Sequence, residues 1–396
     1  MRPNYKDGPH KAAIVSETLQ GPLMIDRRRL ISGGAVTGAA GLAAGCDCGP
    51  AVDLAGVSPG GIQPRELRMV TTWPKDFPGL GTMAERTAQF ITEMSGGALR
   101  VTVYAAGELV SAFESFDAVS TGAADLYHGA EYYWVGKSQA YPFFTAVPFG
   151  MTSTEIMAWC EFGGGQALWD ELAAGFNIKP FIAGNTGHQM GGWFKQPFDN
   201  LEDLRGRIIR MPGIGGEVLR RVGASAVALS GGEIYQALQS GAIDGTEWVG
   251  PWNDLAFGFY REAKYYYWPG FHEPGAQLGV GVNLDLWNGL TLQEKSIIEG
   301  ACQRANHLSI AEYGHFNGIG LEQLVNEHGV ELRETPPDVM EALARETKTV
   351  LEDIAKTDDI SRRIFESYRD AIKRSGEWSR ISDEAYMATR RRVFEL

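Results

Sequence analysis

The sequence predicts a two-lobed α/β fold followed by a helical C-terminal region. Three observations carry that expectation: short β-like runs alternate with helical ones from Arg65 onward, one helix-to-strand pattern occurs twice, and the last hundred residues keep a helical apolar spacing. With 396 residues and 44% hydrophobic content the chain can bury a large core, and its length suits two domains.

The alternation begins with a strand over 67–72, a helix over 81–94, a strand over 100–104, a helix over 112–120 and a strand over 125–127. Strands interleaved with helices predict a mostly parallel sheet. The repeated pattern reads aromatic-x-Ala-aliphatic-x-Ser/Thr-Gly-Ala-x-Asp and covers residues 116–125 and 235–244. In each copy the aromatic and the aliphatic residue, three apart, give the helix an apolar face. Gly122 or Gly241 supplies the left-handed residue that ends the helix, and Asp125 or Asp244 opens the next strand. Two such units predict two similar lobes, although helix-ending patterns of this kind also coincide by chance.

The first lobe is expected over 65–186, completed by about 275–305, and the second over 187–274, with a strand at 207–211 and helices at 215–222 and 231–240. Thr291-Leu-Gln-Glu294 is a capping box that opens a long helix running toward His328. Pro336 and Pro337 interrupt it. Beyond them Val339, Leu343, Val350, Ile354, Ile364, Phe365, Tyr368 and Ile372 recur at helical spacing, so residues 306–396 read as a helical region that packs on the lobes and leaves part of its stripe for a partner.

The first 45 residues read as an export address. Arg27-Arg28-Arg29 precedes Leu30-Ile31 and a Gly/Ala-rich run ending at Gly45, the arrangement of a twin-arginine signal, and Met24 is an alternative start to Met1. That run is too short for a membrane span, which needs roughly 20 apolar residues. Leu42-Ala-Ala-Gly-Cys46 resembles a lipoprotein processing site with its aliphatic residue one place too far away, so lipid attachment at Cys46 stays open. Residues 46–64, rich in Gly and Pro, read as a flexible tether. Cys160 and Cys302 sit in apolar helical contexts as buried free thiols, and no zinc-like cysteine spacing occurs. Acidic residues outnumber basic ones, 49 against 36, which argues against a nucleic-acid partner.

Chemistry concentrates in residues 246–276, where Glu247, Trp248, Trp252 and Asp254 precede Tyr265-Tyr-Tyr-Trp-Pro-Gly-Phe-His-Glu273. Aromatic walls with a few polar groups suit a small-ligand cleft, and two carboxylates can hold a hard cation. A packed aromatic core with solvated acids fits the composition equally well. Arg210 ends an apolar strand, and its planar fork matches a carboxylate, although such an arginine is more often a surface charge. The run Gly213-Ile-Gly215-Gly216-Glu-Val218 fails as a dinucleotide fingerprint because Val218 occupies the third glycine position. No Walker loop, HExxH or Gly-x-Ser-x-Gly elbow appears.

The motifs Leu201-Glu-Asp-Leu-Arg-Gly-Arg-Ile-Ile-Arg210-Met-Pro212, Gly232-Glu-Ile-Tyr-Gln-Ala-Leu238 with Gly241-Ala-Ile-Asp-Gly-Thr-Glu247, and Tyr265 to Glu273 resemble the periplasmic substrate-binding proteins of tripartite ATP-independent (TRAP) transporters. The last of these, with Glu247-Trp248-Val-Gly-Pro, looks like the branch that binds 2-oxo acids or lactate with a cation. The resemblance covers Arg65 to the C-terminus. It implies a hinged solute-binding fold with its ligand cleft between the lobes, a membrane permease as partner, no catalysis and a homodimer. It also implies that Arg210, Gln189, Tyr133 and Glu247 contact the small carboxylate, and that Glu247, the backbone oxygen of Trp248, Glu273 and Gln189 hold Na⁺ or Ca²⁺. Glu131 and His272 depart from the uncharged or aromatic neighbours expected there. The competing expectation is an exported metal-dependent enzyme acting on oxo acids, with His272 as its general base.

Overall fold

Both copies of the repeated pattern end their helix and start their strand by the same bonds. The computed structural model describes residues 61–394; the arginine run, the processing-site sequence with Cys46 and Cys48, and the tether up to residue 60 lie outside them. Gly122 and Gly241 both take the left-handed conformation, at φ 79°. Each following aspartate then clamps the neighbouring strand: Asp125 Oδ2 accepts from the N–H of Arg68 at 2.7 Å, and Asp244 Oδ2 from that of Ile208 at 2.8 Å. Their own N–H groups donate to the carbonyls of the same two residues. In one point the copies differ from expectation. Phe116 and Val119 are buried, but in the second copy Ile234 and Leu238, a full turn apart, form the buried face, while the Tyr235 hydroxyl donates to Glu262.

The strands form two sheets. The first contains β1 (Arg65–Thr71), β2 (Leu99–Tyr104), β3 (Leu126–Gly129), β4 (Ile178–Asn185) and β10 (Gln277–Asn283), in the order β2-β1-β3-β10-β4. The second contains β5 (Gly192–Phe194), β6 (Ile208–Arg210), β7 (Ser225–Val227), β8 (Gly245–Thr246), β9 (Tyr265–Trp268) and β11 (Glu331–Glu334), in the order β11-β9-β5-β8-β6-β7. The expected mostly parallel sheet is corrected here to two mixed ones. β1 is parallel to β2 and β3, and β6 to β7 and β8, but β10 and β5 run antiparallel to both their neighbours. The chain leaves the first sheet after β4, builds most of the second, and returns as β10 in the opposite sense.

Helices fill the connections: α1 (Leu80–Met94), α2 (Ser115–Ser120), α3 (Ser153–Phe162), α4 (Gly165–Ala174), α5 (Gly213–Arg221), α6 (Gly231–Ser240), α7 (Pro251–Phe257) and α8 (Leu284–Asn288). The capping box at Thr291 opens α9 (Leu292–Asn326), with Glu294 Oε2 accepting from the Thr291 N–H at 2.8 Å and Thr291 Oγ1 from the Glu294 N–H at 3.2 Å. At 1.5 Å per residue α9 is about 52 Å long. It packs on β4, α1 and α7. Its Tyr313 hydroxyl bonds Asn253 on α7, whose amide donates to the Pro78 carbonyl ahead of α1, so one chain of bonds ties α1, α7 and α9 together. Gly320 permits the contact with α7, since a Cβ there would meet the Trp252 nitrogen at 2.8 Å. Cys302 lies buried in α9 and Cys160 in α3, both free, and burial pushes each thiol up to about 12.

The C-terminal region is not all helix. β11 adds to the edge of the second sheet, parallel to β9; at four residues it is too short to show a strand period. Then α10 (Pro337–Ile354) and α11 (Asp359–Ile381) bury Val339, Leu343, Val350, Ile354, Ile364 and Tyr368. The last helix, α12 (Asp383–Phe394), buries none of its residues, and Trp378, Ile381, Tyr386, Met387, Val393 and Phe394 are exposed along α11 and α12. Among the described residues no helix is long and apolar enough to cross a membrane.

Candidate functional site

Arg210, the last residue of β6, is completely buried. The parallel pairing that places Arg210 opposite Thr246 of β8 brings the next residue, Glu247, alongside it. The guanidinium forms an ion pair with Glu247 through Nη1 and Oε1 and donates to the Glu247 carbonyl at 3.2 Å. Its remaining donors reach the Leu229 carbonyl at 3.1 and 3.2 Å and the Tyr133 hydroxyl at 3.5 Å, and the Trp248 ring lies 5.1 Å away. Burial alone would lower the arginine's pKa, but the neighbouring Glu247 carries it above the usual value, so the charge is held.

Two chain crossings supply the rest. Gln189, between β4 and β5, donates through its side chain to Thr186 Oγ1 at 3.0 Å, and its N–H donates to the Glu273 carbonyl at 3.0 Å. His272 and Glu273 lie between β9 and β10, both buried. One ligand atom from each of Glu247, His272 and Glu273 lies within 4.8 Å of the others. Burial drives the Glu273 carboxyl well above the usual range, and the charge of Glu247 adds to this while Arg210 opposes it.

Among the residues with unpartnered buried atoms, Glu247, His272 and Glu273 lie together. Glu247 Oε2, Glu273 Oε2, Gln189 Oε1 and both nitrogens of His272 are buried without a hydrogen-bond partner. Leaving one such group unpaired costs about 1–3 kcal/mol, and more for a charged one. Unpartnered acceptors on two neighbouring carboxylates suit a cation. The carboxylates of Glu247 and Glu273, and the amide oxygen of Gln189, whose backbone N–H bonds the Glu273 carbonyl, are oxygen donors that fit Na⁺ or Ca²⁺ by chemistry. The void beside them, about 10 Å³, is lined by Trp73, Tyr132, Tyr133, Thr186, Gln189 and Trp248, with Leu80, Val249, Ala276 and Leu278 on its apolar side.

Size alone would have pointed elsewhere. Clefts of about 580 Å³ along α10 and α11, and about 510 Å³ beside α5, are larger, but none of the unpartnered buried polar atoms lines either. Depth of polar frustration locates the site better than volume.

The structure brings Arg210, Glu247, Trp248, Glu273, Gln189 and Tyr133 together, and it changes what was expected of Arg210, Glu131 and the aromatic run. Arg210 does not project a free fork, because Glu247 and Leu229 occupy it. Glu131 is turned away from the void into the aromatic core of the first sheet, where the Tyr127 hydroxyl donates to it at 2.9 Å. Most of the aromatic run is core rather than cleft wall: Tyr266 stacks on Trp193 and Tyr267 on Phe198, at ring centroid distances of 4.0 and 3.9 Å. Asp254 belongs to that core too, bonded by Trp193 Nε1 and the Tyr266 hydroxyl, with burial raising it to about 7. Sequence reasoning missed Thr186 and Trp73, which carry no pattern, and it gave His272 as a departure and as the general base of the rival enzyme reading, not as a metal ligand, although its place next to Glu273 was a signal.

A sequence profile of the bacterial extracellular solute-binding proteins, family 7, matches residues 69–358. A monocarboxylate 2-oxoacid-binding periplasmic protein of a Nostoc species (strain PCC 7120) is 40% identical over 321 residues, 81% of this chain and 87% of that protein. Two crystal structures of TRAP periplasmic solute-binding proteins superpose with a TM-score of 0.80. One, from Pseudoalteromonas atlantica with bound sodium and pyruvate, is 36% identical and covers 82% of this chain and 99% of its own. The other, from Colwellia psychrerythraea with bound calcium and pyruvate, is 37% identical and covers 83% and 100%.

Proposed function

Because the chain belongs to the bacterial extracellular solute-binding proteins of family 7, we propose that it is the extracytoplasmic subunit of a TRAP transporter that binds a small 2-oxo acid such as pyruvate, or a 2-hydroxy acid such as lactate, together with Na⁺ or Ca²⁺, and delivers it to the membrane permease. One observation carries the cation: Glu247 and Glu273, each with an unpartnered buried carboxylate oxygen, offer ligand atoms within 4.8 Å of one another, and Gln189, whose backbone N–H bonds the Glu273 carbonyl, has an unpartnered Oε1. When bound, the cation supplies positive charge for the acid's carboxylate and adjacent oxygen, so it selects acids that offer that oxygen pair. Glu247, Glu273, Gln189 and the Trp248 carbonyl are the groups to hold it. Arg210 and Tyr133 then face the ligand carboxylate.

A void of about 10 Å³ has room for about one water, not an organic acid. Entry therefore needs the two sheets to separate about the crossings near 186–191 and 269–276, with lobes of 65–186, completed by 275–305, and 187–274. The ligand then stabilises the closed form through contacts it makes only there. No chemical step is required. The rival enzyme reading draws on His272 beside two carboxylates. Mass spectrometry of a keto-acid panel decides between them, since a binding protein returns every acid unchanged.

Calorimetry with pyruvate and lactate tests the proposal directly. Binding is expected with Ca²⁺ or Na⁺ and lost after chelation and exchange into a salt free of both ions; affinity undiminished without any cation would sink the cation's part, and no binding of either acid would sink the assignment. The sequence Arg27-Arg28-Arg29 supports twin-arginine export to the periplasm, with or without lipid on Cys46. The exposed apolar residues of α11 and α12 support a homodimer. Light scattering at micromolar concentration is expected to give twice the chain mass, and the monomer mass for a chain ending at Ser382.

A further inference from the structure

Resting on that cation-dependent function, we infer that His272 is a fourth side-chain ligand of the ion, beside Glu247, Glu273 and Gln189, which makes the site a mixed nitrogen–oxygen centre able to take first-row divalent ions such as Mn²⁺ as well as Na⁺ and Ca²⁺. His272 is 2% exposed, and neither ring nitrogen has a hydrogen-bond partner. Its Nε2 lies 3.4 Å from Glu247 Oε2, yet the two form no hydrogen bond. That distance suits two ligands of one ion. Donors at right angles around an ion with bonds of 2.1–2.4 Å stand about 3.0–3.4 Å apart, and opposite donors at most about 4.8 Å.

One atom from each of Glu247, His272 and Glu273 lies within 4.8 Å of the others, no wider than such a shell. Glu247 is divided between two tasks. Its Oε1 is taken by Arg210, which leaves Oε2 facing the imidazole. Local packing keeps the imidazole there: Gly215 of α5 has no Cβ, and one built on it would stand 3.0 Å from the Cβ of His272. Phe271 abuts the ring edge-on at 5.6 Å between centroids.

A nitrogen donor changes which ions compete. Na⁺ and Ca²⁺ take oxygen ligands, whereas imidazole strengthens binding along the first-row divalent series. The chain would then hold its 2-oxo acid with whichever ion its surroundings supply, at an affinity graded by the imidazole.

Pulsed electron paramagnetic resonance of the Mn²⁺-loaded full chain, without any organic acid, reads the bond itself. The expected result is ¹⁴N modulation of the imidazole type in the natural protein and its loss in His272→Leu. In parallel, the ratio of Mn²⁺ to Ca²⁺ affinity is expected to fall on the order of tenfold in that variant. Absence of imidazole modulation in the natural protein, or failure to bind Mn²⁺, overturns the inference, and the natural protein's spectrum decides even where His272→Leu does not fold. Pyruvate binding with Ca²⁺ but no ¹⁴N modulation removes this inference alone. Imidazole-type ¹⁴N modulation in a chain that binds neither pyruvate nor lactate by calorimetry leaves the metal centre standing and removes the proposed function.

Discussion

Two carboxylates are buried to the same depth, and the molecule treats them in opposite ways. Glu247 sits against Arg210 at the junction of β6 and β8, with one oxygen in an ion pair and the other left open. Glu131 sits beside β3 within an aromatic core of Tyr127, Trp134, Tyr141 and Trp169, with no cation near it, and burial raises it to about 8, so it stays protonated at neutral pH. Gly279 makes room for it, as a Cβ there would stand 2.5 Å from Glu131 Oε1. Burial by itself therefore does not mark a ligand site. What separates the two is their company: Glu131 meets an aromatic core, whereas Glu247 meets the Arg210 guanidinium through one oxygen and leaves the other without a partner.

Removing Arg210 should break the comparison most completely. Arg210→Ala leaves Glu247 as an unpaired buried charge, and such losses cost about 3–5 kcal/mol of stability. Pyruvate affinity should fall by about three orders of magnitude, consistent with roughly 4 kcal/mol for truncating one side of a buried charge pair. Calorimetry and thermal unfolding measure both, and unchanged affinity would remove Arg210 from the site. Next in size is Glu247→Gln, which keeps the shape and loses the charge. Retention of Ca²⁺ should drop by roughly 10–100-fold with pyruvate affinity following it, read by titration against a calcium indicator; a variant that loses pyruvate but keeps calcium would separate the two roles.

The smallest effect on binding belongs to Glu131. Its folded pKa, about 8, lies above the usual 4.5. The stability it contributes is therefore complete below about pH 4.5 and is lost as pH rises through about 8, by up to a few kcal/mol. Glu131→Gln should flatten the decline of melting temperature between pH 5 and 8 relative to the natural chain, with pyruvate affinity within about twofold. An equally steep decline in the variant would show that Glu131 is ionised in the fold.

Much of the fold was legible because it depends on neighbours in sequence. The left-handed glycines at 122 and 241 and the capping box at Thr291 act over a few residues and appear where the pattern puts them, whereas the aspartates after the glycines were legible only as strand openers, since they clamp strands 57 and 36 residues away. The mixed sheets were not legible. β5 and β8 have three and two residues, and β4 and β10 are buried almost throughout, so neither period nor alternation could announce them.

By itself, then, the sequence determined the α/β class, the repeated helix-to-strand unit and the long capped helix, since each follows from short-range backbone preference, while the candidate carboxylate and cation residues came chiefly from the family resemblance. Only the tertiary structure decided that Arg210 meets Glu247 across 37 residues, that Glu131 turns into the core and that most of the tyrosine run packs inside the second sheet's core. Those outcomes depend on strand register and on which face of a turn is left to water. A side chain's charge state follows from the company that register brings to it, and no spacing along the chain encodes that company.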